Sequence, residues 1–279
     1  MTAPQITFIG AGNMASAIIK GLLASGFSAA QLSASCPDTA QLDTLSAEYG
    51  IATTTDNTRF TASADIVVLA VKPQIMESVC AGLRDTVQQR RPLIISIAAG
   101  LSSSRIETWL GGDLPVVRVM PNTPAQVLKG ATGLFANPRV SEPQREQADR
   151  IFRAVGITEW FDDEMQLHAV TALSGSGPAY VFLFIEALEA AGVACGLPAD
   201  KARRLAIQTL AGAAELAATS DLPPGELKRR VMSPGGTTEQ AIRTFETGGF
   251  EKLVRQAVRA AWARGFELAG DTPPAHGND

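Results

Sequence analysis

Histidine, cysteine and tyrosine are scarce in this chain of 279 residues, which has two His, three Cys and two Tyr. A structural zinc site takes about four Cys or His ligands, and Cys36, Cys80 and Cys195 are too scattered to form a CxxC pair. We therefore expect no metal site. An odd, scattered cysteine count also argues against a disulfide framework and favours the reducing cytoplasm. With His276 in a polar, Pro-rich tail, a Ser-His-Asp mechanism would have to rest on His168.

The chain also lacks a strong charge of one sign and long apolar runs. Lys and Arg number 24 against 28 Asp and Glu, so the net charge of −4 gives no basic surface for nucleic acid or an anionic membrane. No apolar run approaches the roughly 20 residues of a membrane span, and the first residues, MTAPQITFIG, do not resemble a signal peptide. Because 46% of the residues are hydrophobic, we expect a globular protein with a small-molecule partner.

Short apolar runs in the first half predict an eight-stranded, mostly parallel sheet. Parallel strands are buried on both faces and so read as continuous apolar runs, and the stretches between them are long enough for crossover helices. Seven of the eight strands can be placed: the strongest runs cover residues 5–9, 31–35, 66–70, 93–97 and 116–120, and weaker strands are expected at 133–136 and 158–161.

Past about Asp163, Ala, Leu, Glu and Arg dominate long periodic segments, which predict an all-helical second half. Helices are expected at 166–173, 178–195, 199–219, 225–231, 239–247 and 250–269. The second of these is apolar on nearly every side, which indicates burial in a bundle or between subunits. We expect one domain at 1–162, a second at 163–270 and a disordered tail at 271–279.

The segment from Gly10 to Ala15 lies between the first strand and the first helix, where a dinucleotide-binding fingerprint must lie. Gly10 permits the tight turn, Gly12 lets the backbone approach a pyrophosphate, and Ala15 allows close packing of helix and strand. The helix amino terminus then offers free N–H donors. The alternative is a Gly-rich turn without a ligand.

The exit of the second strand bears on the choice of cofactor. An NAD site usually has an acidic residue there for the ribose 2′-hydroxyl, about 20 residues after the glycines. Here the residues are Ser35-Cys36-Pro37-Asp38, and we expect Asp38 to cap the next helix. The cofactor would then be held by hydroxyls, backbone amides and Asn57, which favours NADPH, with NADH as the alternative.

Three further loops follow predicted strands at the edge where ligands bind in open α/β sheets. They are Val71-Lys72-Pro73, Ala98-Ala99-Gly100 and Met120–Pro124, in which an Asn amide lies between two prolines. A solvated surface Lys and an ordinary helix-start Pro are the alternatives at 72 and 73.

Two Gly-rich segments in the second half, 174–178 and 232–238, each precede a predicted helix. Free N–H groups beside Ser and Thr hydroxyls suit capture of a carboxylate without Arg. Two well-capped helix starts would look the same.

Together these motifs resemble the pyrroline-5-carboxylate reductase family. The resemblance runs through FIGAGNMA, SCPD, AVKP, MPNTP, LSGSGPAY and VMSPGGTTEQAI, and so spans most of the chain. It implies an α/β fold with an N-terminal Rossmann-type sheet and an all-α C-terminal dimerisation domain. It also implies a homodimer, often assembled further into a ring such as a decamer, that reduces 1-pyrroline-5-carboxylate to L-proline in the cytoplasm.

The resemblance also assigns site residues. The implied cofactor contacts are Ile9, Gly10, Ala11, Gly12, Asn13, Met14, Cys36, Asn57, Val71, Lys72, Pro73, Ala98 and Ala99. The implied substrate contacts are Asp221, Ser233, Gly236, Thr237 and Thr238, with the Thr238 hydroxyl bonding the ring nitrogen. Asp221 stands where relatives can carry Glu, and Thr237 where Ala is common.

A protonated cyclic imine accepts hydride without a strong general acid, which fits the scarcity of His, Tyr and Cys. One rival is another reductase of the same plan, such as a β-hydroxyacid dehydrogenase or an imine reductase. The former uses a Lys in its helical domain, whereas the helix from Pro178 has none before Lys201. A non-catalytic nucleotide sensor is the second rival.

Overall fold

The computed structural model describes residues 4–274. In the first half, eight strands alternate with helices. The strands are β1 (Ile6–Ile9), β2 (Leu32–Ser35), β3 (Ala52–Thr54), β4 (Ile66–Leu69), β5 (Leu93–Ser96), β6 (Val116–Met120), β7 (Gly130–Ala136) and β8 (Gly156–Phe161). The helices between them are α1 (Asn13–Ala24), α2 (Thr39–Tyr49), α3 (Asn57–Thr61), α4 (Met76–Arg90), α5 (Ser103–Trp109) and α6 (Glu142–Arg153).

The second half is helical, as the sequence predicted. It consists of α7 (Gln166–Val170), a π-helical turn (Thr171–Gly175), α8 (Gly177–Ala194), α9 (Ala199–Thr219), α10 (Pro224–Val231), α11 (Thr237–Thr247) and α12 (Phe250–Ala269).

All eight strands form one sheet in the order β3-β2-β1-β4-β5-β6-β7-β8. Six of the seven pairings are parallel, and β6 and β7 pair antiparallel. The linker of residues 121–129 is too short to bring the chain back for a parallel crossover. The chain changes direction across the sheet between β1 and β4, which is the switch point where ligands bind in such folds.

Both faces of the sheet are covered by apolar side chains. One cluster packs Phe8, Ile18 and Phe152 beneath α1 and α6, and a second packs Leu69, Leu83 and related residues beneath α4 and α5. The predicted α/β class with a mostly parallel sheet is therefore confirmed. Cys36, Cys80 and Cys195 are free thiols.

The chain forms two compact units. One runs through Ser176 and includes the residues from Ala261 onward, and the other comprises Gly177–Ala260. The predicted boundary at 162/163 falls earlier, because the chain from β8 through the π-helical turn packs with the sheet. Asp271 donates its backbone N–H to Phe266 O at 2.9 Å, so the predicted tail at 271–279 begins with a hydrogen-bonded residue. Residues 275–279, including His276, lie outside the described range.

Continuity through the π-helical turn joins Gln166–Ala194 into one helical stretch of 29 residues. By length and composition this stretch could cross a membrane, so the expectation that no segment approaches a span was wrong on that measure. A single such helix is weak support for a membrane protein. None of the residues of α8 is buried, and Val181, Phe182 and Leu183 are 45%, 62% and 67% exposed.

Candidate dinucleotide site and carboxylate-binding loop

The predicted cofactor residues of the first unit converge at the carboxyl ends of three neighbouring strands. Gly10 follows β1, Val71 lies two residues beyond β4, and Ala98 lies two residues beyond β5. Backbone bonds lock these ends together, since Ala70 N–H donates to Ile9 O at 2.8 Å and Ile97 N–H to Leu69 O at 3.2 Å. The topology therefore brings together residues that are far apart in the sequence.

The two glycines of the fingerprint are required for different reasons. Gly10 has φ +104°, and a Cβ there would lie 2.7 Å from Ala70 O, so the fold itself requires glycine. Gly12 has no positive φ, and a Cβ there would meet nothing within 4 Å. Because the protein does not fill that space, Gly12 leaves room for a ligand, which is the arrangement that a pyrophosphate requires.

The amino terminus of α1 is open behind this turn. No side chain caps it, and the first N–H with a helical partner is that of Ser16, which donates to Gly12 O at 3.0 Å. Asn13 and Met14 lie at the start of the helix, and Ala15 is 1% exposed against the sheet. The N–H groups of this first turn and the helix dipole favour an anion.

At the exit of β2, Asp38 caps α2 as predicted. Its Oδ1 accepts from the N–H groups of Ala40 and Gln41 at 3.0 and 3.2 Å. Cys36 is buried and donates its thiol to Asp38 O at 3.3 Å. Burial raises the pKa of the Cys36 thiol above its ordinary value, so it stays neutral at neutral pH.

Asn57 opens α3 beside this strand exit and is half-buried. Its Oδ1 accepts from the hydroxyl of Ser35 at 2.7 Å. A depression of about 320 Å³ adjoins it, and Asp56, Ser78, Val79 and Gly82 contribute to its wall.

The loops after β4 and β5 fit both the predicted cofactor contacts and the alternatives given for residues 72 and 73. Lys72 is exposed, and Pro73 starts a short 3₁₀ turn, as an ordinary helix-start proline does. Ala98 is buried, and its N–H donates to Ser96 Oγ at 3.4 Å, whereas Ala99 is exposed. Lys72 and Ala99 are therefore exposed in these two loops, and Ala98 is not.

The amide of Asn122, in the predicted ligand-edge loop Met120–Pro124, bonds to other parts of the first unit. It is 7% exposed, and its Nδ2 donates to Ser174 O at 2.9 Å while its Oδ1 accepts from Ala131 N–H at 2.9 Å. Both ends of the amide are used to tie the loop after β6 to its neighbours.

The segment at 174–178 does not open a helix with free N–H groups, which corrects the prediction. It continues the π-helical turn into α8, and Ser176 N–H donates to Thr171 O at 2.8 Å. The N–H of Ser176 that a carboxylate would need is therefore already bonded.

The second predicted loop, before α11, does open a helix. Gly235 has φ +71°, and Gly236 N–H donates to Ser233 O at 2.9 Å, which closes a tight turn. A Cβ at Gly236 would lie 2.9 Å from the backbone oxygen of Ser233, so a side chain there would require the turn to shift. The first N–H with a helical partner is that of Gln240, at 3.3 Å from Gly236 O. The N–H groups of the first turn before it can bind a carboxylate.

Three of the predicted substrate residues have side-chain hydroxyls and lie at or next to this turn in the sequence. Ser233 and Thr237 are exposed, and Thr238 is half-buried in the first turn of α11. No hydrogen bond to the Thr238 hydroxyl is formed among residues 4–274. Asp221 is exposed between α9 and α10.

Glu239 was missed by the sequence reasoning. Its Oε2 accepts from Gly235 N–H at 2.6 Å, and its Oε1 lies 3.7 Å from Arg243 Nη2. A Glu three residues after a helix N-cap is the signal that could have found it, because such residues reach back to N–H groups before the helix.

A buried charged cluster also lies in the first unit. Glu164 pairs with Arg118 at 3.1 Å and accepts from the N–H and hydroxyl of Ser103, both at 2.7 Å. Beside it, His168 is 1% exposed and stacks on Phe266 at 3.9 Å between ring centroids. No group of three His, Cys, Asp or Glu side chains among the described residues is placed to hold a metal.

Comparison with family models places two matches on the chain. Residues 164–268 match pyrroline-5-carboxylate reductase dimerisation, and residues 5–100 match NADP oxidoreductase coenzyme F420-dependent. The matched regions cover the helical half and the strands that carry the Gly10–Ala15 segment.

Individual relatives match almost the whole chain. A pyrroline-5-carboxylate reductase of Pseudomonas aeruginosa is 51% identical over 96% of this chain and 98% of its own length. The structure of the Coxiella burnetii enzyme of that name is 44% identical, with a TM-score of 0.92 over 95% of this chain and 98% of the other. A Plasmodium falciparum pyrroline carboxylate reductase with NADP bound is 32% identical, with a TM-score of 0.84 over 96% of this chain and 99% of the other.

Proposed function

The chain belongs to the pyrroline-5-carboxylate reductase family, and on that premise we propose that it transfers hydride from NADPH to 1-pyrroline-5-carboxylate to give L-proline. It would act as an oxidoreductase on the C–N bond, in the last step of proline biosynthesis. The observation that carries the proposal is the match to the P. aeruginosa enzyme over 96% of the chain at 51% identity, which includes the candidate dinucleotide site and the candidate carboxylate-binding loop.

The cofactor is proposed to bind at the carboxyl edge of the sheet, where its pyrophosphate lies against Gly12 and the open end of α1. The space beside Gly12 and the N–H groups of the first turn support this placement. The residues proposed to hold it are Ile9, Gly10, Ala11, Gly12, Asn13, Met14, Cys36, Asn57, Val71, Lys72, Pro73, Ala98 and Ala99. When bound, the nicotinamide supplies the hydride.

NADPH is favoured over NADH at this site. The acidic residue nearest the exit of β2 is Asp38. Its Oδ1 already accepts from two N–H groups of α2, so Asp38 acts as a helix cap rather than as the partner of a ribose hydroxyl. A homologue with NADP bound agrees with this choice.

The substrate carboxylate is proposed to bind the loop before α11. Ser233 offers an exposed hydroxyl, Gly236 closes the turn, and the N–H groups of Thr237 and Thr238 are not used by the helix. Asp221 would add a negative charge for the positive iminium. Hydrogen bonds from backbone N–H groups hold a carboxylate without Arg.

Thr238 is proposed as the catalytic residue, with its hydroxyl bonded to the ring nitrogen of the substrate. The iminium is already protonated and electrophilic. The protein therefore has to orient and stabilise it and does not need a strong general acid. Productive transfer requires the two reacting carbons to approach to about 3–3.5 Å. Orientation and electrostatics would then supply most of the barrier reduction.

We also propose that the protein works in the cytoplasm as a homodimer that assembles into a larger ring such as a decamer. The match to the dimerisation family at 164–268 and the exposed apolar side chains of α8 support the dimer. The corresponding domains would be 1–162 for the cofactor and 163–270 for substrate binding and dimerisation.

The direct test is an assay of purified protein with 1-pyrroline-5-carboxylate and each reduced cofactor, in which loss of nicotinamide absorbance is followed and L-proline is measured. We expect turnover with both, and a higher kcat/KM with NADPH. Absence of oxidation with either cofactor would refute the proposed activity, and binding of NADPH without turnover of any imine would favour a nucleotide sensor.

A further inference from the structure

Ser35 ends β2 at the cofactor edge, and both its backbone and its side chain bond to predicted cofactor residues. Its carbonyl oxygen accepts from Gly10 N–H at 2.7 Å, and its hydroxyl donates to Asn57 Oδ1 at 2.7 Å. Ser35 itself is 1% exposed, so it cannot contact a ligand in solution. A buried hydroxyl in a sheet costs free energy unless it forms a hydrogen bond, and this one forms a short bond to a side chain at the proposed site.

The backbone and the side chain of Asn57 are held by different groups. The backbone is fixed by α3, where the N-cap Asp56 accepts from Thr58 N–H at 2.8 Å and Thr61 donates its hydroxyl to Asn57 O at 2.7 Å. The side chain is fixed by Ser35. Because the hydroxyl occupies Oδ1, the Nδ2 donors face away from Ser35, and no described residue accepts from them.

We propose that Ser35 is a positioning residue for cofactor binding, which orients the amide of Asn57 so that its Nδ2 donates to the bound dinucleotide. This inference rests on the proposed cofactor role of Asn57. It predicts that Ser35 matters for affinity only while Asn57 is present.

The test is a double-mutant cycle on NADPH binding, measured by nicotinamide fluorescence without imine substrate. We expect Ser35→Ala and Asn57→Ala each to weaken binding roughly three- to tenfold, the size of one neutral hydrogen bond. The double variant should bind no more weakly than Asn57→Ala alone, since the hydroxyl then has nothing to orient. In steady-state assays Ser35→Ala should raise KM for NADPH and leave KM for 1-pyrroline-5-carboxylate unchanged.

Thr7→Val is the matched control. Thr7 is a buried hydroxyl on the adjacent strand β1 and forms no hydrogen bond among the described residues. Its isosteric replacement removes a buried hydroxyl from the same sheet without removing a bond, so NADPH affinity should stay at the wild-type value.

Each other outcome counts against the proposal. Unchanged affinity in Ser35→Ala overturns the positioning role while wild-type turnover preserves the proposed function. If the double variant loses affinity for NADPH by the product of the two single losses, the two residues act independently and the bond serves stability instead. A Ser35→Ala protein that does not fold leads to the same conclusion. A wild-type protein that neither binds NADPH nor reduces the imine overturns both.

Discussion

The carboxylate of Glu239 accepts a hydrogen bond from the backbone N–H of Gly235 at 2.6 Å. Helix α11 thereby holds the turn that precedes it. Gly235 has φ +71°, a conformation with many alternatives open to glycine, so the bond selects one of them. A charge-assisted bond of this kind stabilises by roughly 1.5–3 kcal/mol before its partial exposure to solvent is considered.

Loss of this bond is expected to weaken substrate binding. In Glu239→Ala, the turn bearing Ser233 and Gly236 gains freedom, so KM for 1-pyrroline-5-carboxylate should rise several-fold while KM for NADPH is unchanged. Glu239→Gln keeps an acceptor and should lie between wild type and Ala. Glu251→Ala is the control, because Glu251 also pairs with an Arg four residues on but holds no loop. Equal effects in Glu239→Ala and Glu251→Ala would contradict the prediction.

Removal of the Thr238 hydroxyl should slow the reaction. Thr238→Ala is expected to lower kcat/KM by roughly tenfold or more, which corresponds to about 1.4 kcal/mol for one lost hydrogen bond, and Thr238→Ser should retain most activity. Thr244→Ala serves as the control, since that hydroxyl bonds Gln240 O within the same helix at 2.9 Å. An unchanged kcat/KM in Thr238→Ala would remove Thr238 from the mechanism.

Substitutions at the two glycines of the fingerprint should separate an effect on folding from an effect on cofactor binding. Gly10→Ala places a Cβ 2.7 Å from Ala70 O at φ +104°, so it should lower the melting temperature strongly. Gly12→Ser fits without a clash and keeps a favoured N-cap residue, so the fold should persist while NADPH affinity falls at least tenfold. Thermal unfolding and NADPH titration measure the two effects. Wild-type NADPH affinity in Gly12→Ser would show that the pyrophosphate does not lie there.

The strands and the capping role of Asp38 could be predicted because each depends on local sequence. Buried parallel strands are apolar throughout, and an Asp before a helix has N–H groups two and three residues away to bond. A shared edge for Gly10, Val71 and Ala98 could be predicted because ligands bind at the carboxyl ends of parallel strands, but their direct proximity depends on the strand order β1-β4-β5, which the structure supplies.

The error at 174–178 has a long-range cause. A Ser-Gly-Ser-Gly-Pro run looks like a helix start, but Asn122 donates its Nδ2 to Ser174 O at 2.9 Å and Ser176 N–H donates to Thr171 O, so the segment continues the helical turn before it. Asn122 lies in the loop after β6, 52 positions from Ser174, and no local pattern reveals that contact. The Ser35–Asn57 bond was missed for the same reason, because it joins residues 22 positions apart.

We expect the exposed face of α8 to be buried at the dimer interface. Leu183 is 67% exposed in the single chain, so Leu183→Glu should place a charge in an apolar interface and shift the protein toward smaller species. Analytical ultracentrifugation measures this shift. Gln89→Glu adds a charge at an exposed position on α4 and should leave the assembly unchanged. A Leu183→Glu protein of unaltered mass would place the dimer interface elsewhere.

His168 should make stability depend on pH in a defined direction. Burial lowers the pKa of His168 below its ordinary value of 6.5, and the charge of Arg118 lowers it further, while Asp271 and Glu164 act in the opposite sense. Its Nε2 lies 3.4 Å from Asp271 Oδ2 but makes no hydrogen bond of good geometry, and the carboxylate offsets the burial only in part.

Because the folded state prefers neutral His168, the unfolded state binds more protons below pH 6.5. The His168 contribution to stability is therefore fully present above that value and is lost as the pH falls through the folded pKa. We expect His168→Gln, which cannot titrate there, to show a shallower fall in the free energy of unfolding between neutral pH and the acid side of 6.5, even though its stability at neutral pH is lower. Urea unfolding across this range measures the slope in both proteins. Parallel slopes in wild type and variant would mean that groups other than His168 set the acid sensitivity.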